Sequence, residues 1–191
     1  MVARLASIVR TVIGRLREKP EQLHLTVFCH DLDNPGITPL RAKVLARASR
    51  MADLSMMEVT ASDEADLDEI TAIDEWGTGR ELTSKRLAEG WRCYVAKHRG
   101  RIVAVAWAIV GRPFHDEYLE RDFVLGPHEV YGTRAYTVPS FRGRGATPLL
   151  LLYGMSDLAR TAGATHGIAI IRATNRLMRA GALSVGGYRT G

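Results

Sequence analysis

At 191 residues with 46% hydrophobic side chains, the chain is long enough to bury a core as one domain with an appendage. Its two cysteines, Cys29 and Cys93, sit far apart in strand-like runs, which excludes a disulfide framework or a cysteine zinc site and points to a reducing, cytoplasmic setting. The net charge of +5 hides a division: residues 51–124 carry 9 basic against 15 acidic side chains, and residues 125–191 carry 8 against 2.

A field split in this way suits a polyanion on one side and a cation on the other, or is ordinary solvated surface. No apolar run reaches the roughly 18–20 residues of a membrane span, and the start lacks the apolar stretch and cleavage site of a signal peptide. The six histidines show no metal-ligand spacing, so no metal is expected. Nucleic acid is not the expected partner either. Aromatic residues make up only 7% of the chain, none lies among the basic residues of the N-terminus, and no reader motif occurs.

The first 19 residues place Leu5, Ile8, Val9, Val12, Ile13 and Leu16 on one helical stripe with arginines between them. That pattern fits a helix packed on the domain, or a basic amphipathic helix in peripheral contact with a membrane. The run "LHLTVFCHDL" reads as a strand ended by the turn-rich "DNPG", and residues 39–54 as a short basic helix leading to a new start. "MMEVT" is a short strand. Ser62 is placed to cap a helix with Asp63, Glu64 and Asp66 at its start and Leu67, Ile70 and Ile73 on its buried stripe.

A second helix covers about residues 79–89 and ends at Gly90. "RCYVAKHRGRIVAVAWAIV" reads as two strands around the turn "HRGR", and "PFHDEYLERDFVLGPHE" as a polar loop. "EVYGTRAYTV" and "THGIAIIRA" are further strands, and "NRLMRAGALSVGG" is a last helix. Strands that come first as an antiparallel run and later alternate with helices predict a mixed α/β sheet, mainly antiparallel and flanked by helices.

Between the last two of those strands lies "TVPSFRGRGATPLLLLYG", residues 137–154. Gly143 and Gly145 allow a tight turn and bring backbone N–H groups close to a ligand. Thr147 is a good N-cap and Pro148 suits a first helical position. The N–H groups and dipole of the helix start form an anion site, to which Arg142 and Arg144 add charge-assisted bonds. The spacing matches neither a P-loop nor a dinucleotide fingerprint, and a ligand-free structural turn is the alternative.

The run Pro139-Ser140-Phe141-Arg142-Gly143-Arg144-Gly145-Ala146, after a strand and opening a helix, resembles the acetyl-CoA pyrophosphate loop of the GCN5-related N-acetyltransferases, the GNAT superfamily. The resemblance covers about residues 56–191, with residues 1–55 as an N-terminal helix-strand extension. The two acidic helices are similar to the family's first two helices, "CYVAKHRGRIVAVAWA" to its second and third strands, "VYGTRAYTV" to its fourth, and "IAIIRATN" to its fifth with the asparagine that follows. "RAYTVPSFRGRGATPLL" looks closest to a group with Tyr-Thr-x-Pro ahead of the arginine, whose acceptor is undefined.

The resemblance implies an acyl-CoA-dependent N-acyltransferase, most simply one that moves acetyl from acetyl-CoA to a primary amine of a small molecule or amino sugar in a ternary complex. Coenzyme A carries roughly four negative charges near neutral pH, which the basic half suits. The backbone of Tyr136, Thr137 and Val138 is expected to pair with the pantetheine amides, and an N–H near Thr137 or Val138 to hold the oxyanion. The N–H groups of Arg142, Gly143, Arg144, Gly145, Ala146 and Thr147 would cradle the pyrophosphate, and Asn175 would contact the pantetheine arm. Glu129, with His128 beside it, is the candidate base, and acids of the loop 115–122 are alternatives. Asp66, Glu69 and Asp74 are placed to recruit a cationic acceptor, or are simply a solvated helix face.

Two departures stand out. Thr147 replaces the last Gly or Ala of the family's loop, and the final helix has no tyrosine to protonate the leaving thiolate, only Tyr188 after it. The family's final strand also has little sequence left to form it: either the chain is short there, or the strand at residues 23–32 fills the edge. A non-catalytic acyl-CoA-binding module is the alternative function, and a homodimer is left open.

Overall fold

The run "RCYVAKHRGRIVAVAWAIV" makes two adjoining strands of the sheet. In the computed structural model, which describes residues 25–32, 42, 43, 46, 51, 53–73, 79–117, 119–184 and 188–190, they are paired antiparallel strands. These are β3 (Arg92–His98) and β4 (Arg101–Val110). Their two-residue turn holds Arg99 at φ 50° and Gly100 at φ 77°, the mirror-image turn whose twist suits a hairpin. β4 is buried from Ile102 to Ile109, as a continuous apolar strand between two layers of helices must be.

Five more strands complete a seven-stranded sheet: β1 (Leu25–Asp31), β2 (Leu54–Val59), β7 (Glu129–Thr137), β8 (His166–Arg172) and β9 (Tyr188–Thr190). The order is β2-β3-β4-β7-β8-β1-β9. Every neighbouring pair is antiparallel except β7 and β8, which run parallel. The expected mixed, mainly antiparallel sheet is therefore present.

Helices cover both faces. On one lie α1 (Glu64–Ile73) and α2 (Gly79–Ala88), with Leu67 and Ile70 packed into a core of Cys93, Val95, Trp107 and Ile109. On the other lie α3 (Ala146–Ala162) and α4 (Arg176–Ser184). Leu150 and Leu158 of α3 meet Tyr94 and the alanines 96, 104, 106 and 108. Small residues on this face let α3 approach closely, and a Cβ on its Gly154 would stand 3.1 Å from the Tyr94 ring. The buried Cys93 thiol, pushed up mainly by burial, is chemically quiet.

Two local expectations are corrected. α1 begins one residue later than a Ser62 cap implies: Asp63 takes the cap position and accepts from the Thr60 N–H at 2.7 Å and its hydroxyl at 2.8 Å. These bonds hold the Asp63 carboxyl below its ordinary value. The presumed polar loop contains a hairpin, β5 (Pro113–Asp116) and β6 (Arg121–Val124). Phe114 and Phe123 stack at 5.2 Å there and lie against Tyr131 of β7. These apolar contacts, which only the fold creates, order a segment that is polar in sequence.

The strand expected in the N-terminal extension, residues 25–31, lies within the sheet, paired with β8 over seven residues and with β9 over three. Val27 and Cys29 are buried in the main core. β8 carries buried Ile168 and Ile171, so its edge away from β7 needs a partner for its N–H and C=O groups. β1 supplies it, and the N-terminal strand fills the edge. The amphipathic stretch 1–19, most of the basic stretch 39–54 and Asp74 lie outside the described residues.

Candidate functional site

β7 and β8 begin side by side and then part. Their pairing runs from Glu129 opposite His166 to Gly132 opposite Ala169. The strands continue to Thr137 and Arg172 without pairing to one another. At the parting β7 bulges: Thr133 pairs with Trp107 and Tyr136 with Val105, so Arg134 and Ala135 together face Ala106. Arg134 sits at φ 50°, a conformation uncommon outside glycine. A bulge adds local twist and bends its strand, which here opens a wedge between β7 and β8.

The edge of β7 facing this wedge carries backbone groups that the ladder with β4 does not use. The Val138 N–H donates to the Val103 carbonyl at 3.0 Å, and Thr137 is opposite Ala104. In an antiparallel ladder this makes Thr137 and Ala104 a pair without mutual bonds. The N–H and C=O of Thr137 therefore turn away from β4, into the wedge. Arg142 leans across its mouth, with Nε donating to the Thr137 carbonyl at 3.1 Å and its guanidinium 5.6 Å from the centre of the Tyr136 ring.

Next to the mouth the chain turns into α3. Pro139–Phe141 form one short helical turn, in which the Arg142 N–H donates to Pro139 O at 3.2 Å and the Arg144 N–H to Phe141 O at 3.3 Å. Gly143 and Gly145 both have positive φ, 75° and 95°, which glycine adopts without penalty. Gly145, not Thr147, is the N-cap. Thr147 falls in the first turn, where its hydroxyl hydrogen-bonds that of Thr137 and ties α3 to β7. The N–H groups of Gly145, Ala146 and Thr147 have no acceptor within the helix, while Pro148 removes the fourth donor of a helix start. With the helix dipole behind them, they form an anion site flanked by the exposed Arg142 and Arg144.

The other expected residues are placed as follows. Asn175 caps α4, its side-chain oxygen accepting from the Met178 N–H at 3.1 Å, and it follows β8 at the same end of the sheet. Glu129 lies at the closed end of the wedge and accepts from the Gly126 N–H at 2.7 Å. Eight residue steps, at most about 26 Å at roughly 3.3 Å each, separate it from Thr137. His128 beside it bonds to the Gly163 carbonyl at 2.9 Å. The α1 acids are neutralised: Asp66 pairs with Lys97 at 2.7 Å, Glu69 with Arg101 at 2.6 Å, and Glu64 and Asp68 both pair with Arg80. They brace α1 rather than offer open charge.

One cluster on the α1–α2 face was not expected in this form. Glu117, from the turn of the β5–β6 hairpin, accepts from Arg86 of α2 at 2.8 Å and from Arg134 at 3.0 Å, both at Oε2. Arg86 is only 2% exposed, with its guanidinium 5.7 Å from the centre of the Trp107 ring. Partial burial pushes the Glu117 carboxyl up, but the Arg86 bond and the charges of Arg86 and Arg134 outweigh it and hold it below the ordinary value. The adjoining Asp116 is buried and accepts from the Tyr131 hydroxyl at 2.9 Å. Among the described residues no group of three or more His, Cys, Asp or Glu could hold a metal ion, and no helix is long and apolar enough to cross a membrane.

No family model and no curated protein sequence matches the chain. Solved structures do. The GCN5-related glucosamine N-acetyltransferase region of a fungal multi-domain β-N-acetylglucosaminidase matches with a TM-score of 0.63 at 15% identity, over 95% of this chain and 22% of that one. A tandem GNAT protein from the clavulanic acid biosynthesis pathway matches with a TM-score of 0.60 at 13% identity, over 90% and 51%. The chain has the GNAT fold. An aminoglycoside N-acetyltransferase in complex with CoA matches with a TM-score of 0.56 at 14% identity, over 72% of this chain and 90% of that one. Against the longer matched chains this GNAT-fold chain spans between 22% and 64% of their length.

Proposed function

We propose that the chain is an acyl-CoA-dependent N-acyltransferase that moves acetyl from acetyl-CoA to a primary amine of a small molecule or amino sugar. The observation that carries this reading is the parting of β7 and β8 beyond Gly132 and Ala169, beside a helix start armed with N–H groups and two arginines. The pyrophosphate would sit on Gly143, Gly145, Ala146 and Thr147, with Arg142 and Arg144 supplying charge. The pantetheine arm would lie along the wedge-facing edge of β7 from Thr137 back toward Thr133, since the Val138 N–H expected to share in it is bonded to Val103, with the Asn175 amide opposite.

The thioester then falls further back than Thr137. The Thr137 hydroxyl already touches the first turn of α3, so Thr137 belongs to the phosphate end. An extended arm of three amide-linked units passes three to four strand residues at roughly 3.5 Å each. That brings the thioester carbonyl beside Thr133 and Arg134, at the bulge. A backbone N–H there that meets the developing oxyanion contributes about 3 kcal/mol. The neutral amine attacks the carbonyl carbon, the C–S bond breaks, the ammonium proton leaves through a base or water, and the CoA thiolate takes a proton from solvent.

The test is thiol release from acetyl-CoA with a panel of primary amines and amino sugars. Release that depends on the amine supports an enzyme. Saturable acetyl-CoA binding without release under any amine supports the binding-module reading instead. The position of Glu129 gives a second expectation. Glu129→Gln keeps the oxygen that accepts from Gly126, so amine-dependent release stays within about twofold, whereas removing a true base costs roughly 100-fold or more.

A further inference from the structure

Three elements that are distant in sequence meet at one carboxylate oxygen. Arg86 from α2 and Arg134 from the bulge of β7 both donate to Oε2 of Glu117, which projects from the β5–β6 turn. Arg86 is fixed from behind by burial and by the Trp107 ring, and Trp107 is itself the residue opposite Thr133 at the start of the bulge. The hairpin in turn is locked to β7 by the Phe114, Phe123 and Tyr131 stack and by the Asp116–Tyr131 bond. Arg134 holds an unfavourable backbone conformation, and such a conformation persists only where the surroundings over-determine it.

We propose that Glu117 is a positioning residue: by gripping Arg134 it holds the bulge that opens β7 from β8, and so sets the wedge for the acyl donor. This rests on the acyl-CoA reading above. The role is mechanical and electrostatic, without contact to the reacting atoms. A carboxylate kept ionised by two guanidiniums suits a clamp better than a base.

The test uses the full chain as wild type, Glu117→Gln, Glu117→Ala, Arg134→Gly and the Glu117→Ala/Arg134→Gly double variant. Three quantities are read: amide exchange of residues 133–138 without ligand, the melting temperature, and acetyl-CoA affinity. In Glu117→Ala, exchange over 133–138 rises tenfold or more, and acetyl-CoA affinity falls at least tenfold. Glu117→Gln, which keeps one acceptor oxygen, falls between and carries the comparison if the alanine variant does not fold. Glycine adopts positive φ unaided, so in the Arg134→Gly background Glu117→Ala costs no further affinity. Exchange and affinity within twofold of wild type in both Glu117 variants would overturn the proposal, as would an equal loss in both backgrounds. A wild type that binds no acetyl-CoA overturns the acyl-donor reading itself, which is a separate result.

Discussion

If the turn holds the pyrophosphate as proposed, Gly145→Asp weakens acetyl-CoA binding about 100-fold or more, or roughly 2.7 kcal/mol, while the protein stays folded. Gly145 is the N-cap of α3 at φ 95°, so any L-residue there is strained by about 1–2 kcal/mol. Aspartate offsets part of that strain, because its carboxylate is a good acceptor for the N–H groups of a helix start. The new carboxylate occupies the anion site from within and repels the incoming pyrophosphate. Calorimetric titration alongside a thermal melt separates the two effects. Loss of binding with a melting temperature lowered by only a few degrees is expected, and undiminished affinity would show that the turn only connects β7 to α3.

Val27→Pro is the second large effect, this time on stability. Val27 is 5% exposed and stands between Ile170 of β8 and Thr190 of β9. Proline removes a ladder donor in the interior of a sheet and leaves an acceptor unpaired. The cost is about 3 kcal/mol or more, a fall in melting temperature of roughly 6–12 °C for a chain of this size. If residues 25–31 were a loosely attached extension, the same substitution would leave the melting temperature where it was.

What was legible in the sequence was local. The turn at Arg99 and Gly100 and the end of α2 at Gly90 follow from short-range backbone chemistry, and the structure has them there. The glycine-rich turn between β7 and α3 was legible for the same reason. Its cap was misplaced by two residues because the Thr147 hydroxyl, free in sequence to cap its own helix, is taken by Thr137 of the neighbouring strand.

The long-range features were not legible. "LTVFCHD" reads as a strand, but its place beside β8 depends on a partner some 140 positions away in the chain. The β5–β6 hairpin has two four-residue strands with little alternation, and its order comes from Tyr131. Arg86 carried a faint signal, since it falls on the inward stripe of α2 with the buried Thr83. Nothing local indicated that its partner is Glu117, or that Arg134 forms a bulge. The acids of α1 read as an open negative face because their partners Lys97 and Arg101 belong to a different element.

The measurement that tests the central claim most directly is a crystal structure of the full chain grown with CoA. The expected result is a pyrophosphate on the N–H groups of Gly145, Ala146 and Thr147, and a pantetheine arm running back along β7 so that the sulfur lies beside Thr133 and Arg134. CoA held elsewhere on the chain, or a wedge between β7 and β8 that stays empty at saturating CoA, would contradict it.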